Sequence, residues 1–516
     1  MIQAGQAIAT FAFLLLAILR AGILRYARMS FVPKSLYGIP ALLLLLGLNS
    51  CLDEPGQGSL NDLSFSRDTV FFDTVFTQIG TSTQVLKLYN KGQGRINIDE
   101  IRLNPNSVFR FNADGDSGPI AENLFIDPGD SMYVFVEATL DPNGGNAVLI
   151  HEDSLMVLAQ GDYKQAILAA PGQDARYYLP TDTLQTAGAG IPYSILDCQT
   201  TWDASKPVVI VGYLVVDSLC NLEILAGTKV HFFNNGALWV YRGGSLQVLG
   251  ELGNPVTFEG TRLNATWRET PGQWDRILIN EGSTNNLIRH AIIKNGFIGI
   301  QADHLGKVSG SASGPGKVTL ESVEIRNMSG LGLYTRGLDI DAYNTLVHNC
   351  GQYSGAFTLG GSVRLDHCTF GNHWNRSNRS TPAFFFSNYF LGGNTAFIAD
   401  LNLRMRNSII YGSQQGEFEY DSLGGADFNY LFEHCLIKAE DDIATGPNSR
   451  FVNILRNEDP LFRNPSAGDY RLDAESPAMD AGSPSVVQEN PFFLRFDLKG
   501  WNRTYTLPDL GAIEKQ

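Results

Sequence analysis

The sequence predicts an all-β protein in two parts, a sandwich of short antiparallel strands followed by a solenoid of stacked coils. Three observations carry this. Short Val/Ile/Phe/Tyr/Thr runs lie between Asn, Asp and Gly clusters, with 53 glycines and 22 prolines among 516 residues, and no long amphipathic helical period follows the N-terminal region. Period-2 alternation fills residues 65–172. A strand-sized pattern then recurs at 22 and 23 residues, the mark of a repeat architecture. The composition, 44% hydrophobic and 18% charged, supplies a large core. A net charge of -15 with no basic stripe excludes a nucleic-acid partner, which would need cations to displace counterions.

Residues 1–50 read as a signal region. "LYGIPALLLLLGLNSC", Leu36 to Cys51, follows Lys34 and ends its apolar run in small and polar residues, the grammar of an export signal rather than a spanning helix. Met29 already begins a complete signal, so translation is expected to start there. The alternative is that the upstream apolar run Ile8 to Leu24 forms a membrane helix. "LNSC" resembles the bacterial lipobox, and the resemblance implies a lipid on Cys51 and an outer-membrane anchor. Asp53 and Glu54 just behind it are similar to the surface-export signal of Bacteroidota lipoproteins. Residues 51–64 are then a lipidated tether.

Between 65 and 172, Leu86 and Leu88, Ile96 and Ile98, and Val134 and Val136 mark buried faces, with "NKGQG", "DPGD" and "DPNGGN" as turns. The order of these strands resembles the Ig-like modules beside the anchors of bacterial surface proteins, which implies a spacer. Residues 173–195 are expected to be a linker.

In 196–458, six segments align on a polar residue: "IRHAIIKN", "LESVEIRN", "AYNTLVHN", "LDHCTFGN", "MRNSIIYG" and "FEHCLIKA". The residue after it is small (Ala291, Val323, Thr345, Cys368, Ser408, Cys435) and the third is large and apolar (Ile293, Ile325, Val347, Phe370, Ile410, Ile437). Small and aliphatic inward positions flanking a variable outward one make a strand, and its repetition makes a coil. Cys368 is then a packing thiol, and His367 beside it points to the opposite face, so the pair does not converge on a metal ion. Asn295, Asn327, Asn349 and Asn372 read as an asparagine ladder at a tight turn. The opening "LEILAGTKVHFFNNGALWVYRGGSLQVLGELGNPVTFEG" resembles right-handed parallel β-helix proteins. "DPLFRNPSAGDYRLDAESPAMDAGSP" is similar to their closing segment, which implies that 459–516 form the final coil and a C-terminal cap over the open end.

Such folds carry polysaccharide lyases and glycoside hydrolases as well as scaffolds, so an enzyme must be argued from its site. The outward acids Glu321, Glu324, Asp366 and Glu433 are scattered. Asp441 and Asp442 sit in a loop-like stretch, and Lys294, Arg326 and Lys438 share an outward column as solvated charges or readers of an acidic glycan. No catalytic, cofactor or metal motif emerges. The reading is a binding or scaffolding protein at the cell surface, with an outer-membrane protein or a polysaccharide as partner; the alternative is a polysaccharide-active enzyme. The stretch 373–397, carrying Trp374, Arg376, Arg379, Phe384 and Tyr389, reads as an insertion outside the coil, either a binding surface or a flap packed on its side. Cys198 and Cys220 are about one coil apart, which suits a disulfide and two free buried thiols equally.

Overall fold

The computed structural model describes residues 56–72, 75–76, 80–81, 83–140, 149–186, 190–263, 267–304, 316–446, 450–503 and 507–515. The signal region, Met29 and Cys51 lie outside them.

The N-terminal part is built by alternation. Leu86, Leu88, Ile96, Ile98, Val134 and Val136 are all buried, because successive side chains of a strand point to opposite faces. One sheet holds Leu63–Phe65, Gln84–Asn90, Ser131–Ala138, Phe109–Ala113 and Asp116–Gly118 in spatial order. The other holds Thr69–Phe71, Asp162–Gln173, Leu149–Ala159, Ile96–Arg102 and Ile120–Ile126, with Val75–Phe76 beside Asp162–Gln173. Side chains of both sheets, among them Leu86, Val136, Ile98 and Val157, share one core.

Among the described residues the chain from Arg176 onward forms a 24-stranded sheet, parallel except for the hairpin Asp182–Gln185 with Gly190–Ile195. This is a β-helix-like solenoid. Much of the stretch expected as a linker belongs to it: Arg176–Tyr178 pairs with Val208–Ile210, and Tyr193–Ile195 with Tyr213–Val215, while Gln173 ends a strand of the N-terminal sheet. The hairpin strand Asp182–Gln185 is exposed along its whole length, so no apolar period announces it.

Each coil passes through three strand faces. Face one stacks Ile277–Asn280, Ile300–Asp303, Leu333–Arg336, Gly355–Thr358, Phe384–Ser387 and Phe418–Asp421. Face two ends at Arg289, Glu321, Tyr343, Asp366, Arg406 and Glu433. Face three carries Ile293, Ile325, Val347, Phe370, Ile410 and Ile437 in one unbroken register. All six are fully buried, at roughly 1.5–3 kcal/mol of transfer free energy each.

The aligned polar residue is the hinge between faces two and three. His290, Ser322, Asn344, His367, Asn407 and His434 all have left-handed backbone, φ between 43° and 54°. Asn295, Asn327 and Asn349 are left-handed as the ladder requires. Asn372 is instead the end of the strand Thr369–Asn372, and its amide donates to Cys350 O at 3.0 Å and Gln352 O at 2.9 Å.

The described part of the C-terminal segment, expected as a final coil and cap, packs along the flank of the coils. It runs back along the hinge as a strap. Leu472, Ala478 and Leu510 pack on Ile409 and Leu436; Tyr470, Leu498, Ala512 and Ile513 pack on Leu346; Val486, Val487 and Leu494 pack on Tyr343. Farther back, Phe492 lies on Arg289 and Gly500 against Leu252. The hinge column supplies the polar fastening. Asn344 Nδ2 donates to Phe493 O and Phe496 O at 2.8 Å each, Asn407 Nδ2 to Ser483 O at 2.9 Å, and His434 Nδ1 meets Ala481 O at 3.2 Å. Asn407 Nδ2 also meets His367 Nε2 at 2.9 Å. His367 therefore sits in an amide and imidazole ladder, with its basicity pushed well down by burial and by Arg503.

Candidate functional site

At the opposite corner, where face three turns into face one, the chain leaves a recess of about 700 Å³ lined by Pro192, Gly212, Tyr213, Asn234, Asn235, Trp274, Asp275, Arg276, Phe297 and Ser329. Local irregularity makes it. Opposite the single residue Gly212, the next coil carries Asn234, Asn235 and Gly236 between the paired Phe233 and Ala237. Gly212 itself is left-handed, φ 71°, and a Cβ there would strike Pro192 O. The bulge turns the exposed Asn234 and Asn235 outward.

Backbone bonds stack this corner from coil to coil. Asp275 N donates to Gly236 O at 3.0 Å, Phe297 N to Trp274 O at 2.8 Å, Gly330 N to Phe297 O at 2.9 Å and Gln352 N to Gly330 O at 2.9 Å. On this frame runs a chain of polar side chains. Tyr213 donates to Asp275, and burial together with that bond pushes the phenol pKa well up. Arg276 holds Asp275 Oδ1 through Nε at 2.9 Å and Nη2 at 2.8 Å and reaches Gln301. Gln301 donates to Asp303 Oδ2 at 2.7 Å, and Arg336 grips the same carboxylate from the next coil, its Nε at 2.8 Å from Oδ1. Burial alone would lower the Arg336 pKa; Asp303 outweighs it and raises it.

The aromatic groups divide by role. Trp274 is structural: it is buried, stacks on Phe232 at 4.3 Å and donates to Lys294 O at 2.8 Å. Phe297 is 43% exposed, with Arg276 5.8 Å from its ring. Trp239, half-buried, meets Tyr213 edge-on at 6.4 Å.

The residues expected to form one insertion separate. Arg379 and Phe384 are buried and are not surface residues. Phe384 lies on a face-one rung, paired in register with Gly355 of one neighbouring strand and Phe418 of the other. Arg379 forms a buried ion pair with Glu417, Nη2 to Oε1 2.6 Å and Nη1 to Oε2 2.8 Å. Tyr389–Gly392 and Thr395–Ile398 pair with each other as a hairpin outside the solenoid sheet. Tyr389 donates to Asp421 Oδ2 at 2.6 Å, and that bond with burial pushes its pKa up to about 12. Arg376 is exposed and donates to Glu269 O at 2.8 Å. Trp374 is half-buried, donates to Ser377 Oγ at 2.9 Å, and lies against Gly351 next to Ser329. It thus continues the corner two rungs past Ser329.

Other sequence candidates have structural employment. Cys198 and Cys220 are disulfide-bonded, Cα atoms 4.6 Å apart. Cys350, Cys368 and Cys435 are buried thiols whose pKa values burial raises, the opposite of what an activated nucleophile needs. Lys294 pairs with Glu259 and Glu269, and Arg326 with Glu269 and Glu324. Lys438 donates to Gly412 O and lies over Tyr411. Asp441 and Asp442 are exposed. Among the described residues no cluster of three His, Cys, Asp or Glu side chains is arranged to hold a metal ion. Sequence reading missed Tyr213, Asp275, Arg276 and Phe297. Their signal was the "FFNNG" bulge and the "WDR" at a coil corner, which fall outside the aligned rungs.

No family model matches the sequence, and no curated protein matches it. Similarity to solved structures is remote. The PapD-like domain 7 of human CEP192 is 11% identical, TM-score 0.16, over 22% of this chain and 87% of that one. A protein of unknown function from Porphyromonas gingivalis W83 is 11% identical, TM-score 0.17, over 28% and 60%. The catalytic domain of a GH87 alpha-1,3-glucanase in complex with tetrasaccharides is 10% identical, TM-score 0.22, over 73% and 87%. No function is carried across at these scores.

Proposed function

We propose that this chain is a lipoprotein held at the outer membrane through Cys51 and exposed at the cell surface, where the solenoid acts as a non-catalytic binding or scaffolding surface. In this reading the two-sheet domain is an Ig-like spacer and the solenoid a right-handed β-helix, the hand that parallel crossovers adopt. One observation carries the choice of binding over catalysis: both carboxylates of the recess network are already committed. Asp275 is held by Tyr213 and Arg276, and Asp303 by Gln301 and Arg336. A glycoside hydrolase needs one carboxyl free to carry a proton and a second free to attack or to activate water; two guanidinium-locked carboxylates suit neither task.

The test is fractionation of cells producing the full chain with a C-terminal tag, followed by mild detergent extraction and identification of stoichiometric companions. The expected result is an outer-membrane chain that Cys51→Ala releases, with a polysaccharide or an integral membrane protein retained on the tagged chain. Turnover of a polysaccharide by the purified chain, lost on Asp275→Asn, would overturn the binding reading.

A further inference from the structure

Resting on that binding reading, we infer that the corner recess takes a neutral, linear polysaccharide, laid along the solenoid axis with successive sugar rings on successive coils. The first argument is spacing. The corner residues Gly236, Asp275, Phe297, Gly330 and Gln352 are tied rung to rung by backbone bonds, so the surface repeats at about 4.8 Å, the separation of paired strands. A hexose in an extended chain is about one rung long, so successive rings keep step with successive coils. An extended peptide presents a side chain to one face only every ~6.7 Å, twice its rise per residue, and falls out of step.

The second argument is the chemistry of the walls. Phe297 offers an exposed ring at the corner, and an aromatic face suits the C–H face of a pyranose. Asn234 and Asn235 on the bulge bring amide donors and acceptors suited to hydroxyl groups. Tyr213, Asp275 and Arg276 form a hydrogen-bonded array that is fixed before any ligand arrives, and a fixed array lowers the ordering cost of binding. Trp374 stands two rungs past Ser329 on the same corner.

The third argument is charge. Asp275 and Arg276 cancel within the recess, and the neighbouring cations Lys294 and Arg326 are spent on Glu259, Glu269 and Glu324. No unbalanced positive group of the recess lining faces a uronate, and the chain as a whole carries -15. An acidic glycan is therefore disfavoured by long-range repulsion as well as by the site.

Isothermal titration of the detergent-purified full chain tests this, using hexasaccharides of neutral linear glucans and mannan, hexagalacturonate, and an extended hydrophilic peptide. The expected result is saturable binding of a neutral hexasaccharide, weakened about tenfold by Phe297→Ala, unchanged by Phe492→Ala on the strap, and weaker for the corresponding trisaccharide. The proposal is overturned if only hexagalacturonate or the peptide binds, if Phe297→Ala binds as the parent does, or if no neutral hexasaccharide binds. In the last case a membrane companion still retained on the tagged chain leaves the binding-protein reading standing. Shortening of the hexasaccharide during titration overturns that reading instead.

Discussion

Replacing Arg379 with methionine should open the coil that carries Phe384. The guanidinium reaches Glu417 through two contacts and also donates to Thr381 O, Asn372 O and Ser413 Oγ. Side-chain exposure is 1% for Arg379 and 0% for Glu417, so the carboxylate cannot turn to water when its partner is lost. It keeps two backbone donors, Ala383 N at 2.8 Å and Gln414 N at 2.7 Å, but no countercharge. Breaking such a pair costs ~3–5 kcal/mol. Removing both charges in Arg379→Met/Glu417→Leu relieves the stranded charge while leaving two donors without an acceptor, for a net cost of ~1–3 kcal/mol. The double variant should thus be the more stable of the two. Hydrogen exchange of the Phe384–Ser387 amides is the suitable assay, because a chain with two cores need not unfold in one step. The reasoning is refuted if Arg379→Met lowers the opening free energy of that rung by less than 1 kcal/mol, or if the double variant opens more easily than the single one.

Two further outcomes follow from the buried polar groups. Burial lowers His231 and His373 to about 4 and His367 well below its usual value. Each is neutral when folded and gains a proton more readily when unfolded, so its stabilisation is complete above pH 6.5 and is lost as pH falls from 6.5 through 4. For His231 the drop is worth ~3 kcal/mol, and the melting temperature should fall steeply below pH 6.5, less so in His231→Asn. Asn344→Ala removes the amide that fastens Phe493, Phe496 and Arg503; with ~1–3 kcal/mol lost from a buried site, protease should cut the 484–503 segment faster while the face-three strands stay protected.

The solenoid was legible because neighbour-to-neighbour stacking writes itself into the sequence. Ile293 must resemble Ile325 if the two are to share a rung column, and the alignment of six segments gave the register that the structure has. Features that depend on distant chain were not legible in the same way. The strap was read as a cap because "DPLFRNPSAGDYRL" marks an ending but not a direction. A clue did exist: the position between the two inward columns, taken as outward and variable, holds Leu346, Ile409 and Leu436 on three coils, all now buried under the strap. Phe384 and Arg379 were placed outside the coil with the rest of 373–397, as a binding surface or a packed flap, because the 40-residue gap from His367 to Asn407 is too long for one regular coil and does not show which of its residues form a rung. The recess was invisible for another reason: its residues sit at corners, where strand periodicity says nothing.

The strap also sets the order in which the molecule can be completed. Coils settle on one another by nearest-neighbour contact, so those carrying Asn344, His367 and Asn407 can form before the last part of the chain exists. Their hinge side chains then await partners far away in sequence; Arg503 meets Asn344 across 159 residues. Until it does, a row of amides and apolar residues stands open along the flank, and closing so long a loop is the slow, entropically costly kind of step. Maturation therefore ends with one event that inspects the flank the strap covers, from Leu252 to Leu436: a chain with one of these coils out of register offers the strap no matching row, a chain missing its tail leaves that row open, and either stays recognisably unfinished.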